Sequence, residues 1–465
     1  MITLIKPILL FAALPLAFAG CTTTNPKAVL DDVNQTVAAR LGQTPSGEAV
    51  SVLLQTNLTA QSSVAVALLN NRSLRAEFEN IGISQADLAQ AARLKNIEIG
   101  GSWRFPGTPP SAANTEYSVA ADILDLFTLP ARKKIAWREL EQTKLRVADS
   151  VLRLAADVQS AFYTAQASEN LAERLAVIVE VNDASAEVAQ RQYDAGNIND
   201  LELQNQQASA SQARLDLMQA QAQSRADRER LNRLLGLSGQ QIHWTMAEAL
   251  PGLPATESPL DNLESLAVSQ RLDLTALRSE MESIAAALKL KKNTRFIPGV
   301  NVGVQTERDT DGQRVTGPNV TLELPLFDQG QPALARLAAQ YRQAENNLAA
   351  LETNIRSEVR QAQDALLAAR GTVEHYNQTL MPQRQKILRQ TLLQYNAMQV
   401  STYVVLQAKQ SEQIAERGYV ESLRDYWIAR AELERAVGGR LDGNLTPQAM
   451  PKEEAPAPEH QHHNH

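Results

Sequence analysis

The sequence predicts a mainly α-helical chain with a small β portion, built as a tandem repeat in which a strand hairpin is followed by a long helical hairpin. Three observations carry that reading. A glycine-centred break, YDAGNIND at 193–200, interrupts a pattern that is otherwise helical for tens of residues on either side, and a weaker copy, YNAMQVST, stands at 395–402. Four short segments alternate with period two, unlike everything around them. The 465 residues are 44% apolar but only 5% aromatic, and the apolar share leans on Ala. That composition suits long helices packed through small side chains better than thick globular cores. A formal charge of −7 with no basic block excludes a nucleic-acid surface.

The chain opens with Lys6 and the apolar run PILLFAALPLAFAG, the length of a secretory signal core and too short to span a bilayer. Residues 1–20 are read as a signal peptide. The run ends in FAGC, and Cys21 is the only cysteine, so no disulfide forms within the chain. Small residues before a lone Cys resemble a bacterial lipobox, with Phe18 where Leu is usual. Cys21 is therefore expected to be the lipidated first residue of the mature protein, anchored without spanning the membrane. Thr22 follows instead of Asp, and similarity to sorted lipoproteins then favours the outer membrane. Residues 21–62 form the anchored N-terminal segment.

Two repeats follow, 63–249 and 260–439, joined by a proline-rich linker at 250–259. Landmarks recur at nearly constant spacing: Leu126-Phe127 and Leu326-Phe327, Tyr193 and Tyr395, Gly236 and Gly438. In the first repeat, apolar Ile97, Ile99, Trp103 and Phe105 alternate with Glu98, Ser102 and Arg104, and Tyr117, Val119, Ala121 and Ile123 with Ser118 and Asp122. In the second, Val300, Val302 and Val304 alternate with Asn301 and Gln305, and Val320, Leu322 and Leu324 with Asn319, Thr321 and Glu323. Strands are expected at about 97–105, 117–127, 299–306 and 318–327, near the roughly 9–11 residues that cross an outer membrane obliquely. A half-buried soluble sheet alternates in the same way, so periodicity alone leaves both open. Polar, turn-forming loops join each pair.

Long helical stretches follow each strand pair, at about 132–195 and 331–397, and shorter ones follow the breaks, at 200–235 and 402–437. Val147, Val151, Leu154, Val158, Ala161 and Ala165 recur at spacings of four and three, as do Leu348, Leu351, Ile355, Val359, Ala362, Leu366, Ala369 and Val373. Such spacing marks a coiled-coil-like seam. A helix of about 65 residues would reach on the order of 100 Å, beyond a single globular domain. The two breaks are where these helices fold back.

On the duplication, the LPLFDQGQ junction at 324–331 and the tip sequence YDAGNINDLELQNQQ, the chain resembles the TolC-type outer membrane factors from about Val64 to Gly438. That resemblance implies a homotrimer whose transmembrane β-barrel takes four strands from each protomer and continues into a helical tunnel. It also implies a passive conduit in the outer membrane, fed by an inner-membrane pump through a periplasmic adaptor. Four strands close no barrel, since membrane barrels start at eight, so strands in lipid require oligomerisation. The resemblance places adaptor docking at the tips, Gly196, Asn197, Met398 and Gln399. The family's carboxylate ring just past the second tip is missing here, where TYVVLQAKQ holds no acid. Asp200 and Glu202 of the first repeat are the candidates for the aperture, and the alternative is that they only solvate a helix start, where negative charge is favourable anyway. Met398 stands where the family has a tip glycine.

The proline-rich tail at 440–465 cannot build a core and is read as disordered. It carries His460, His462, His463 and His465, four of the six histidines in the chain. Imidazoles at that density bind Zn, Cu or Ni ions, which suits capture of heavy-metal ions for export; the bland alternative is an incidental tract. No phosphate loop, nucleophile elbow, HExxH or paired-cysteine motif is present, so neither enzymatic activity nor a cofactor is expected. The rival to a channel is a lipid-anchored periplasmic coiled-coil adaptor or scaffold that does not span the membrane.

Overall fold

The computed structural model describes residues 26–441 except 43–49, 106, 108–111, 248, 256–259 and 298. Cys21 and the histidine tail lie outside the described residues. The elements run α1 (Pro26–Leu41), α2 (Val50–Leu53), α3 (Ala60–Asn70), α4 (Arg72–Ala91), β1 (Glu98–Arg104), β2 (Asn114–Asp122), α5 (Ile123–Asp194) and α6 (Asp200–Leu235). After a short 3₁₀ turn come α7 (Leu263–Gln270), α8 (Leu272–Thr294), β3 (Val300–Arg308), β4 (Arg314–Leu322), α9 (Gln331–His375), α10 (Met381–Asn396) and α11 (Thr402–Val437). The second half repeats the order of the first: a short helix, a longer one, a strand hairpin, then a helical hairpin.

Two compact units divide these residues. One holds Glu79–Thr143 and Glu282–Ala339 with the start of α1. Its centre is an antiparallel sheet of order β1-β2-β3-β4, in which β2 and β3 join the two repeats. The strand expected at about 117–127 ends instead at Asp122, and that expected at 318–327 spans Arg314–Leu322. The causes are local. Asp122 Oδ1 accepts from Leu124 N at 3.0 Å, which caps a helix beginning at Ile123. The stretch expected to turn helical only at about 132 is therefore helical from 123, with Pro130 inside it. Asp125, buried there, accepts from Lys95 N at 2.9 Å and pairs with Arg132 at 2.8 Å. In the second repeat Pro325 keeps Leu324 out of the α region, and the chain stays irregular until Gly330 turns it, at φ 80°, into α9.

The other unit holds Asn34–Phe78, Lys144–Met281 and the chain from Gln340. It contains two cores, one per repeat. In the first, Val64 and Ala67 of α3 meet Val158, Ala161, Phe162 and Ala165 of α5 and Leu231 and Leu235 of α6, with Trp244 closing the end. In the second, Leu263 and Ala267 of α7 meet Ile355, Val359 and Leu366 of α9 and Tyr426, Leu433 and Val437 of α11. Of the 3/4-spaced seam residues, Val158, Ala161, Ala165, Ile355, Val359, Leu366 and Val373 are buried here, while Leu154, Leu348, Leu351, Ala362 and Ala369 pack against them partly exposed. Leu58 also joins the first core, Leu58 N donates to Thr245 O at 2.7 Å, and a Thr59–Ser62 capping box starts α3. Packing of the first core thus reaches back to Leu58, a few residues before position 63.

The stretch expected to be continuous from 331 to 397 is broken. Pro382 has no N–H to give the carbonyl four residues back, and a π turn at Tyr376–Leu380 separates α9 from α10, with Met381 N donating to Tyr376 O. Wide turns of this kind recur where a helix must absorb an irregularity.

Candidate functional site: the sheet faces and the helical tips

Strand register sorts side chains between two faces. One row runs Ile99, Val119, Val304, Pro318, and its neighbour carries Val302 and Val320. Tyr117 and Trp103 lie on the same side with their rings edge to face at 5.7 Å, and Leu322, opposite Val300, continues it. On the other side Ser102, Glu116 and Glu307 form one row, Ser118 and Gln305 the next, and Asp122, Asn301 and Thr321 another.

Exposure is the reverse of that of a water-soluble sheet. Ile99 is 76% exposed, Val320 64% and Val304 57%, whereas Glu116, Ser118, Gln305, Glu307 and Asn319 are half-buried. The polar side is knit together. Glu116 accepts from Arg104 at 2.8 Å, Ser102 at 3.3 Å and Gln305 at 2.5 Å; Gln305 accepts from Asn319 at 3.0 Å, and Glu307 from Asn114 at 2.7 Å. Opposed Glu116 and Glu307 would repel one another; Arg104 supplies the counter-charge and the amides occupy the remaining acceptors. A face so wired needs no apolar cover, and its partner face has none within the unit. Sequence reading picked out Ser102, Arg104, Gln305 and Asn319 but missed Asn114, Glu116 and Glu307. Asn114 and Glu116 precede the apolar run of β2 and continue its alternation, a signal that was available in the pattern.

The two tips are the same turn. At the first, Gly196 has φ 74°, Gly196 N donates to Tyr193 O and Asn197 N to Gln192 O, both at 2.8 Å. At the second, Met398 has φ 57°, Met398 N donates to Tyr395 O at 2.8 Å and Gln399 N to Gln394 O at 2.9 Å. These are the paired bonds that close a helix through a left-handed residue. The missing glycine therefore leaves the second turn its geometry, at the strain of a side chain in the left-handed region, and Met398 is left 94% exposed. Asn197 and Gln399, the residues after the left-handed one, are exposed as well.

Asp200 and Glu202 occupy the first turn of α6, where Asn199 Oδ1 caps Glu202 N at 2.9 Å. Asp200 is exposed and accepts from Gln204 at 3.4 Å. Both acids thus stand at the positive end of a helix dipole. The equivalents in α11 are Thr402 and Val404, beside exposed Tyr403, and the cap there, Ser401, makes no side-chain bond. Tip one is acidic, whereas tip two has no acid from Tyr395 to Val404 and exposes Met398, Tyr403 and Val404. Among the described residues no three His, Cys, Asp or Glu side chains gather to hold a metal ion, and no helix is long and apolar enough to cross a membrane.

Residues 66–237 match the family described as outer membrane efflux protein. The chain is 21% identical over 386 residues to the cobalt-zinc-cadmium resistance protein CzcC of Cupriavidus metallidurans, covering 82% of this chain and 90% of that one. Its fold is similar to the Campylobacter jejuni CmeC outer membrane channel, with a TM-score of 0.71 at 15% identity over 82% of this chain and 85% of that one. The outer membrane protein VceC of Vibrio cholerae gives 0.68 at 16% identity, over 82% and 97%.

Proposed function

We propose that the chain is a member of the outer membrane efflux protein family, whose model matches residues 66–237, and that it is the outer membrane channel of a tripartite efflux system. In this reading three copies close a twelve-stranded barrel, each adding β1 to the β4 of a neighbour, and the helical hairpins form the periplasmic part of the conduit. Substrate passes through without chemistry; an inner-membrane pump supplies the energy, and a periplasmic adaptor joins the two at Gly196, Asn197, Met398 and Gln399. The observation that carries the proposal is the sheet: apolar and exposed on one face, hydrogen-bonded and polar on the other, with β1 and β4 as open edges. Unpaired backbone groups at those edges have no place in lipid unless closure pairs them.

The cargo we assign is heavy-metal ions. The relative CzcC is a cobalt-zinc-cadmium resistance protein, and His460, His462, His463 and His465 supply imidazoles that collect such ions near the conduit. Cys21 carries the acyl anchor in the inner leaflet of the outer membrane, an addition to the barrel's own insertion.

The test is a comparison of faces. Arg at Ile99, Val302 or Leu322 should cost about 2–4 kcal/mol each near mid-membrane and abolish heat-modifiable trimers in outer-membrane extracts. Arg at Asn301 or Glu323 should leave trimers intact and change conductance only. Equal damage from the two sets would remove the basis of the channel reading.

A further inference from the structure

At one end of the sheet the chain passes between strand and helix four times: from α4 into β1, from β2 into α5, from α8 into β3 and from β4 towards α9. The antiparallel order β1-β2-β3-β4 puts all four crossings at the same end. Large apolar side chains crowd them. Leu94, Phe127, Phe296, Leu326 and Phe327 are each more than half exposed, so the exposed apolar surface of the sheet continues past the ends of its strands.

Cations follow at once. Residues 283–306, from the last turns of α8 into β3, hold Lys289, Lys291, Lys292 and Arg295 and no acid. Lys289 and Lys292, both exposed and three apart, share a face of α8, and the Arg295 guanidinium lies 4.2 Å over the Phe296 ring. On α5, Lys133 is exposed as well. Arg138 pairs with Glu282, and Ser283 Oγ donates to Glu139 at 3.5 Å. These contacts set α5 and α8 side by side in opposite directions and bring Lys133 and Lys289 to the sheet together. Both helices join the inner strands β2 and β3, whereas another copy would add at the edges β1 and β4.

The acids at this end are engaged or lie on the other side. Asp122 pairs with Lys95 at 3.1 Å and Asp125 with Arg132 at 2.8 Å. Glu98 shares the polar row of Asn319, and Glu323 follows apolar Leu322 in the alternation. Asp328 accepts from Gly330 N at 2.7 Å. Among the described residues no carboxylate pairs with Lys133, Lys289, Lys291 or Lys292.

Aromatic rings settle at the level of lipid headgroups, and long cationic side chains beside them reach out to phosphates. A zwitterionic headgroup brings its own ammonium, so unpaired lysines select the lipid of net negative charge. We propose that this end of the sheet is a collar for anionic phospholipids, with Lys133, Lys289 and Lys292 on the lipid phosphates and Phe127 and Phe296 beside the acyl chains. The collar rests on the channel reading, in which the helical side of the barrel meets the inner leaflet of the outer membrane.

The experiment uses the full chain in phosphatidylcholine vesicles with a trace of spin-labelled phosphatidylglycerol or spin-labelled phosphatidylcholine, and reads by electron paramagnetic resonance the fraction of each label slowed at the protein. At low salt the phosphatidylglycerol label should be preferred at least about threefold, and the preference should fall towards unity in about 0.5 M NaCl. Lys133→Gln with Lys289→Gln and Lys292→Gln should remove the preference and leave the slowed phosphatidylcholine fraction unchanged. Arginine at the same three positions should keep it. No preference in the parent protein, a preference that salt does not weaken, or one that survives the glutamine variant would each overturn the proposal. If neither label is slowed at all, the channel reading falls with it; if both are slowed equally, only the collar falls. The parent's preference and its salt dependence decide the matter even where the glutamine variant fails to assemble.

Discussion

The two repeats share a backbone and differ in what holds it. Gly236 and Gly438 end α6 and α11 in the left-handed region, at φ 70° and 91°, and each abuts the break between the short and long helices that open its repeat. In the first repeat that break is Asn71, whose Oδ1 caps Leu74 N at 3.0 Å while its Nδ2 donates to Leu234 O at 2.8 Å. In the second it is Arg271, buried, paired with Asp273 at 2.6 Å and Glu358 at 2.5 Å. Burial works against that guanidinium's charge, but the bonds to Asp273 and Glu358 more than offset it and hold it above the ordinary arginine range. The tips repeat the lesson, with Gly196 relaxed and Met398 strained in one geometry. Duplication preserved the path of the chain, and substitution then changed the interactions that stabilise it.

The sharpest test of that contrast is at the helix ends. A Cβ on Gly236 would stand 2.9 Å from Asn70 O and 3.1 Å from Asn71 Cα, both backbone. On Gly438 the nearest atom is Arg271 Cγ at 3.3 Å, a side-chain atom able to shift, with Arg271 Cα at 3.4 Å. Gly236→Ala adds overpacking to the left-handed penalty and should cost about 3 kcal/mol, whereas Gly438→Ala should cost about 1–2 kcal/mol. Thermal unfolding followed by helical circular dichroism reads both, and equal losses would mean that the two ends are packed alike.

Next is the break itself. Arg271→Met strands Asp273 and Glu358, and because Glu358 is 41% exposed the loss should be about 2–3 kcal/mol, below that of a fully buried pair. Asn71→Ala removes a cap and should cost about 1 kcal/mol. The same unfolding measurement ranks them, and a larger loss at Asn71 would reverse the assignment of the stronger anchor to the second repeat.

At the tips, exchange is the test. Met398→Gly relieves the left-handed strain, partly offset by a freer unfolded chain, for a net gain of about 0.5–1 kcal/mol. Gly196→Met should lose about 1 kcal/mol. If Met398→Gly instead abolished efflux in cells while stabilising the protein, the exposed thioether would be identified as a docking contact. The smallest effect is expected from Asp200→Asn with Glu202→Gln, which should leave stability within about 0.5 kcal/mol and lower cation preference in planar bilayers. Unchanged preference would assign these acids to solvating the α6 start.

Much of this was legible in the chain. Val158, Ile355, Val359 and Leu366 were marked by their spacing and are the buried seam; Val119 and Val304 were marked by alternation and share a face. Gly196 announced its turn. The second tip was harder, because a methionine hides a left-handed position that glycine advertises. Pro130 and Pro325 flank the two Leu-Phe landmarks, yet one sits inside a helix that Asp122 caps and the other keeps its segment irregular. Pro382 stands within a strong helical pattern, and only the wide turn at Tyr376–Leu380 shows what it does.

By itself the sequence determined the element types, the duplication, the apolar seam and the alternation of the strands, because periodicity and turn chemistry are local and a side chain's face follows from its neighbours along the chain. Tertiary structure decided which alternating rows meet. Glu116 and Glu307 stand opposite each other from different repeats, and Asn71 and Arg271 do one job by unrelated means. It also brought Lys133 and Lys289, from different repeats, to one end of the sheet. Such pairings depend on packing between segments distant in sequence, which no local pattern records.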